Sequence, residues 1–356
     1  MRAILAGGGT GGHVIPALAI AQALKEMYAA QVLFVGTARG LENRLVPQAG
    51  FALQLIRIGP LNKVSLGTRL RTLYDIPRSL AESRRILRAW RPDVVIGVGG
   101  YASGPVMLSA IVGKIPTLAF EPNYIPGFAN RVIARWVSGA AVHFTETGRY
   151  FRRCRITGVP VRQAFFELGE APASPGRPTL LVFGGSQGAR AINQAMIASI
   201  VRLRERVPAV KVIHQTGEKE FDAVQKAYAG MEDAVEVHRF IEDMPSFFGR
   251  AHLIFCRSGA STIAEITAAA KPAVFVPFPR AADDHQRRNA QALERAGAAV
   301  VLEESKLNPE SLVETVGTLL ADRGRLEAMG RAARGLSHPA AARDIALWAA
   351  ELAGCS

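Results

Sequence analysis

The chain has 356 residues, a formal net charge of +13, 49% hydrophobic and 21% charged residues. That balance excludes a disordered or fibrous chain and leaves room for two domains with full cores. Cys154, Cys256 and Cys355 are odd in number and far apart, which excludes a disulfide framework or a cysteine metal site and fits a reducing cytoplasm.

The chain enters a short apolar strand, Ala3–Ala6, with no basic, long-apolar leader before it, so no secretory signal is expected, and no run of 18 apolar residues offers a membrane span. The strand ends in the glycine turn Gly7-Gly8-Gly9-Thr10-Gly11-Gly12-His13, and helical spacing follows over Val14–Met27. Further strands are predicted at Gln31–Val35, Ala52–Ile56, Asp93–Val98, Thr117–Phe120 and Gly139–His143. Helices are predicted between them at Gly40–Ala49, Thr68–Trp90 with a candidate break at Pro77, Gly104–Val112 and Gly127–Arg135. The strands are apolar throughout and do not alternate, as a parallel sheet covered on both faces requires.

Gly169–Pro178, with three prolines and two glycines, is the most linker-like stretch. The strand–helix rhythm then repeats. Strands are predicted at Thr179–Phe183, Lys211–Gln215, Val235–Arg239, Leu253–Cys256, Ala273–Val276 and Ala299–Leu302. Helices are predicted at Ala189–Leu203, Glu218–Ala229, Asp243–Phe248, Ser261–Ala270, His285–Ala296 and Pro309–Leu320. The tail reads as helix to its end, with a break at Pro339. The expected fold is therefore α/β, with two Rossmann-like domains whose parallel sheets face a cleft: residues 1–160, residues 161–335, and a last helix over 336–356 that packs back on the first domain.

Each half opens with strand, glycine turn and helix, the second turn being Gly184-Gly185-Ser186-Gln187-Gly188-Ala189-Arg190. Such a turn lets the backbone approach an anion at a helix start. The first turn fits the dinucleotide fingerprint only loosely, and no acidic residue follows in Val32–Thr37 to hold a ribose, which disfavours a nicotinamide enzyme. A third turn, Cys256-Arg257-Ser258-Gly259, leads into Ala260-Ser261-Thr262-Ile263-Ala264-Glu265. Its N–H groups suit a diphosphate, and Glu265, two turns into the helix, suits ribose hydroxyls. Gln286 and Asn289, three apart, share a helix face and suit sugar hydroxyls, although a polar helix start has the same pattern. Asp283-Asp284 reads as a helix cap, and no third hard ligand makes it a metal site.

The charge is lopsided. Residues 1–160 hold 20 Lys and Arg against 7 Asp and Glu, whereas residues 161–356 hold 23 of each. Nine basic residues fall within Arg57–Arg91. They interleave with aliphatics where nucleic acid would call for stacking aromatics, so an anionic lipid surface is the expected partner and nucleic acid is not. The patch expected to meet it is Val64, Leu66, Leu70 and Leu73. The same pattern also describes an ordinary amphipathic helix with a solvated basic face.

Taken together, the motifs resemble the MurG family of bacterial peptidoglycan N-acetylglucosaminyltransferases, which have the GT-B fold. The resemblance runs from about residue 3 to beyond residue 300. It rests on Gly8–His13, Gly99-Gly100-Tyr101-Ala102-Ser103-Gly104-Pro105, Pro126–Arg131, Gly158-Val159-Pro160-Val161-Arg162, Gly184–Arg190, Ser258–Glu265 and Asp284-His285-Gln286. It implies transfer of GlcNAc from UDP-GlcNAc to lipid-linked MurNAc-pentapeptide. The bond formed is β-1,4 with inversion, no cofactor or metal takes part, and the enzyme acts as a peripheral protein at the cytoplasmic face of the cell membrane.

The resemblance also implies residue roles. Arg162 and Ser186 contact the diphosphate, and the Ile241 backbone meets uracil. Ala260, Ser261, Thr262, Ile263, Ala264 and Glu265 wrap diphosphate and ribose, while Gln286 and Asn289 read the sugar. Thr10, Gly11 and Gly12 line the acceptor-side loop, and Asn123 faces the cleft. His13 is the expected base, with Glu121 in reserve. The chain departs from the family pattern at Pro122 and Val159, and Pro122 removes a backbone donor near the acceptor. Two other classes share these signals: another GT-B enzyme acting on a UDP-sugar, such as a glycolipid synthase or an epimerase, and a nucleotide-binding membrane scaffold without catalysis.

Overall fold

The computed structural model describes residues 1–59, 66–168 and 177–355, and of residues 66–74 the backbone alone. Two units form: Met1–Pro160 together with Ala340–Ser356, and Val161–Pro339. The first contains β1 (Arg2–Gly7), α1 (Gly11–Tyr28), β2 (Gln31–Gly36), α2 (Glu42–Gln48), β3 (Ala52–Leu55), α3 (Leu66–Trp90), β4 (Val94–Gly99), α4 (Ser103–Val112), β5 (Thr117–Glu121), α5 (Phe128–Ile133), β6 (Gly139–Val142) and β7 (Cys154–Ile156). The second contains α6 (Gln163–Phe166), β8 (Thr179–Phe183), α7 (Arg190–Arg206), β9 (Lys211–Gln215), α8 (Phe221–Ala227), β10 (Val235–His238), α9 (Met244–Arg250), β11 (Leu253–Cys256), α10 (Ala260–Ala268), β12 (Ala273–Phe275), α11 (His285–Arg295), β13 (Ala299–Val301), α12 (Pro309–Ala321) and α13 (Arg323–Arg334). The last helix, α14 (Ala341–Leu352), belongs to the first unit.

All strand pairs are parallel, in the orders β3-β2-β1-β4-β5-β6-β7 and β10-β9-β8-β11-β12-β13. Sequence order reverses beside β1 in the first sheet and beside β8 in the second. At such a reversal the loops leaving two neighbouring strands turn to opposite faces and open a crevice at the strand carboxyl ends. The glycine turns after β1 and β8 both stand at these points, opposite the turns that follow β4 and β11. Helices cover both faces, so Ala3–Ala6 and Leu180–Val182 are wholly buried.

Two elements, β7 and α3, depart from the sequence reading. The short edge strand β7 carries exposed residues and no apolar run. Helix α3 continues through Pro77 without ending there. Val64 lies outside the described residues, and Leu66, Leu70 and Leu73 lie where only the backbone is described.

Helix α14 packs on α1 and against β4 and β5. Its Trp348 is fully buried. Gly139 makes room for the ring, since a Cβ there would come within 2.6 Å of it. The Arg155 guanidinium lies 4.8 Å from the ring centre and grips Glu351 through two hydrogen bonds of 3.0 and 2.7 Å. The aromatic burial outweighs the exposed ion pair. Trp348→Ala should therefore destabilise the first unit by about 3–5 kcal/mol, whereas Glu351→Ala should cost far less. Thermal melts that rank the two variants the other way would show the helix to be held by charge.

Candidate functional site

In the first unit the two switch-point turns lock together backbone to backbone. Gly8 N–H donates to the Gly99 carbonyl at 3.2 Å, and a Cβ on Gly7 would fall 2.1 Å from that same oxygen. Thr10 caps α1 through its backbone conformation alone, without a side-chain cap bond, and is exposed. Gly11 and Gly12 form the first turn of the helix and are half-buried. His13 follows, with Nδ1 3.1 Å from the Gly8 carbonyl. A carbonyl only accepts, so Nδ1 carries the proton and Nε2 presents its lone pair. The ring lies over Gly99, where a Cβ would stand 3.0 Å from Nε2.

Glu121, the residue held in reserve as base, is placed among hydrogen-bond donors. It is buried at the end of β5. One oxygen accepts from Asn123 N–H at 3.0 Å and Asn123 Nδ2 at 3.2 Å; the other accepts from Gly127 N–H and Asn130 Nδ2, both at 2.9 Å. Burial pushes its carboxyl above the ordinary value, while the four donors pull it back. The side chain ties the 121–130 loop together. Asn123, half-buried, is one of its partners.

In the second unit Ser186 is exposed on the turn after β8. Gln215, buried at the end of β9, braces that turn: Nε2 donates to the Gly185 carbonyl at 3.1 Å and Oε1 accepts the Ile241 N–H at 2.8 Å. The Ile241 N–H is thus engaged inside the protein. Beneath lies a buried polar chain. Asn193 Nδ2 donates to Thr216 O and Glu220, its Oδ1 faces His214 Nε2 at 3.1 Å, and Tyr228 meets His214 Nδ1 at 3.1 Å. Burial lowers the His214 pKa to about 3, so the ring is neutral and acts as a spacer.

The third turn follows β11. Gly259 caps α10 without a side chain, Ser261 and Thr262 are half-exposed, and Ala260, Ile263 and Ala264 are buried. Glu265 is half-buried, and its pKa is raised to about 7 by burial, opposed by the charge of Arg162. Arg162 itself is exposed, with its guanidinium 5.1 Å from the Phe165 ring centre.

Asn289 and Gln286 stand on the helix face expected to read a sugar. Asn289 has no exposed surface, and its amide lies 3.4 Å from the Ser258 carbonyl. Gln286 is half-exposed, but its Oε1 accepts from Phe278 N–H at 3.0 Å, and its own carbonyl accepts from Ser258 Oγ at 2.8 Å. The i, i+3 spacing does place both amides on one face, and that face packs on the 258–260 turn. Asp283 and Asp284 adopt left-handed backbone angles, φ 52° and 55°, and Asp284 makes no side-chain cap bond. Asp284 does stand at the expected N-cap position of α11, and the left-handed corner costs about 1 kcal/mol or more per residue.

Sequence reasoning missed Glu42, Gln215 and Asn193. Each looks ordinary in the chain: an acid at a helix start, an amide at a strand end and an amide within a helix. Among the described residues no three His, Cys, Asp or Glu side chains gather as a metal would need, and no helix is long and apolar enough to cross a membrane.

Residues 3–142 match the glycosyltransferase family 28 N-terminal domain and residues 179–345 the family 28 C-terminal domain. With two doubly wound sheets and their switch-point turns, these matches define a glycosyltransferase of the GT-B fold. A protein of Anaeromyxobacter sp. (strain Fw109-5), named UDP-N-acetylglucosamine--N-acetylmuramyl-(pentapeptide) pyrophosphoryl-undecaprenol N-acetylglucosamine transferase, is 46% identical over 99% of this chain and 93% of its own. A protein of the same name from Solibacter usitatus is 45% identical over 96% and 94%. The crystal structure of Acinetobacter baumannii MurG superposes with a TM-score of 0.83 at 31% identity, covering 98% of this chain and 99% of that one. The chain belongs to glycosyltransferase family 28 and, within it, to the MurG family.

Glu265 gives a pH test that needs no ligand. Its folded pKa of about 7 lies above the ordinary glutamate value of 4.5. The folded state therefore holds the proton more tightly, and stability falls as pH rises from about 4.5 to about 7. Glu265→Gln should remove that slope and gain on the wild type above pH 7. Urea unfolding at pH 5 and pH 8 showing no such divergence would mean that the carboxyl is not raised.

Proposed function

We infer that this protein transfers N-acetylglucosamine from UDP-GlcNAc to the O4 hydroxyl of an undecaprenyl-diphosphate-linked MurNAc-pentapeptide. It makes a β-1,4 bond with inversion, in peptidoglycan precursor synthesis. The observation that carries this reading is end-to-end similarity to relatives of that activity, 46% over 99% of the chain, with the family's motifs standing at the switch-point turns of both sheets.

The roles follow from local chemistry. In the first unit His13 Nε2 takes the O4 proton as O4 attacks the anomeric carbon. The bond from that carbon to the diphosphate breaks, and UDP leaves. Thr10, Gly11 and Gly12 supply acceptor-side contacts from the same turn. In the second unit the uncapped N–H groups of α10, Ser186 on its glycine turn and the Arg162 guanidinium hold the diphosphate and the charge growing on it. This arrangement does without a metal. Ionised Glu265 accepts from the ribose hydroxyls, the Ile241 segment meets the base, and Gln286 is the remaining sugar contact on α11.

The acceptor's prenyl chain stays in the bilayer because each buried CH₂ is worth about 0.8 kcal/mol, so the enzyme binds at the membrane surface. Described side chains supply an apolar face. Leu108 and Val112 on α4 are exposed, as are Phe128, Val132 and Trp136, spaced four apart along α5 and the turn after it. Helices α4 and α5 are neighbours, and Lys114, Arg131 and Arg135 stand among these residues. The apolar side chains would enter the headgroup region, with the basic ones meeting anionic lipid at the cytoplasmic face.

UDP release from UDP-GlcNAc, dependent on a prenyl-diphosphate MurNAc-peptide, tests the activity; release indifferent to that acceptor would refute it. His13→Ala should lower turnover roughly 10²- to 10⁴-fold with unchanged UDP affinity by calorimetry. Glu265→Ala should weaken UDP binding by about 1.5–3 kcal/mol, and wild-type affinity should fall as pH drops below about 7 because only the ionised carboxylate accepts both hydroxyls. For the membrane, Val132→Glu with Trp136→Glu should release the folded protein from anionic vesicles, and wild-type binding should weaken with salt. Vesicle binding untouched by the double substitution would move the face elsewhere.

A further inference from the structure

Glu42 is 1% exposed although it opens a surface helix, and every one of its partners is a donor. One oxygen accepts the Gly9 N–H at 2.7 Å; the other accepts the Thr37 N–H at 2.9 Å and its hydroxyl at 3.1 Å. Three glycines wall it in. A Cβ on Gly8, Gly36 or Gly40 would come within 2.3, 2.6 or 1.8 Å of this side chain. The β2–α2 loop is also sewn to the glycine turn by Leu41 N–H to the Gly9 carbonyl at 3.2 Å. Asn43 Nδ2 closes that loop on the Thr37 and Gly40 carbonyls at 2.7 and 3.1 Å.

A glycine turn before a helix is built to meet an anion from outside. Here an internal carboxylate occupies one of its donors from below. It fixes the turn from the side away from the helix mouth, leaving Thr10–His13 as the part that faces outward. We infer that Glu42 is a positioning residue, which holds the Gly8–His13 turn in the geometry that aims His13 Nε2. The inference rests on the reading of His13 as the base, and it reaches further, because it makes a residue outside the family motifs necessary for turnover.

The carboxylate cannot be replaced by its own amide. In Glu42→Gln one end of the amide must turn an NH₂ toward Gly9 N–H or toward Thr37 N–H, donor against donor. The turn should then shift by a fraction of an ångström, enough to lower kcat by about 10- to 100-fold. UDP affinity and KM for UDP-GlcNAc should change less than about twofold, since the donor residues lie in the second unit. A merely structural role would lower the amount of folded enzyme without coupling to His13, so the deciding readout is a double-mutant cycle. His13→Ala with Glu42→Gln should be no slower than His13→Ala alone. Losses that multiply, or a folded Glu42→Gln enzyme with wild-type kcat, would overturn the inference. Should Glu42→Gln not fold, Gly40→Ala moves the carboxylate by driving a methyl into it while keeping its charge. The same fall in kcat and the same cycle with His13→Ala are expected, and wild-type kcat in that variant overturns the proposal equally. Normal turnover in His13→Ala would instead bring down the base assignment beneath it.

Discussion

The close approach of two backbones beside the first strand of each sheet is the constraint on which the rest depends. Reversal of strand order sends neighbouring loops apart, and functional turns can sit at the resulting crevice only if nothing fills it. In the first unit a methyl group on Gly7 would reach 2.1 Å from the Gly99 carbonyl oxygen, and one on Gly100 would reach 2.4 Å from that of Gly8. In the second, Gly188 is pressed as closely on Thr216, 1.9 Å from its carbonyl to the position a Cβ would take. Side chains at these positions would part the turns and carry His13 or Ser186 with them. The glycines are thus spacers of zero width between neighbouring turns.

Behind each turn stands a buried polar group with its hydrogen bonds made: Glu42 and Glu121 in the first unit, Gln215 and the Asn193–His214–Tyr228 chain in the second. A buried polar group lacking its partners costs about 1–3 kcal/mol, so each of these groups permits one loop arrangement and penalises the others. The two units reach the same rigidity by different chemistry. The first uses carboxylates surrounded by donors, whereas the second uses neutral amides and an imidazole kept uncharged by burial. That division matches the charge of the chain, because the half with few acidic residues keeps two of its seven, Glu42 and Glu121, in the interior.

Much of the fold could be read from the chain, because apolar runs and glycine turns are local signals. Every strand of the second sheet was anticipated from the chain, and β7 was not, since its exposed edge residues carry no apolar run. The site was legible in part. Backbone-built features, the three turns and their helix starts, are written in consecutive residues. Side-chain partnerships are not. Nothing in the spacing of Gln286 and Asn289 tells which way their shared face points, and nothing beside Glu121 reveals that donors from Asn123, Gly127 and Asn130 converge on it. Glu42 is the extreme case, since its partners lie five and thirty-three residues away.

The return of the last helix to the first unit imposes an order on synthesis. Trp348 completes a core whose other members lie between residues 1 and 160, where Arg153 and Arg155 flank its ring. A ribosome releases that early segment with the seat above Gly139 empty, and it stays empty while the whole second unit is made. The first unit is therefore completed only after α14 has been made, and a chain that stops before Trp348 leaves an unfilled groove along α1, β4 and β5.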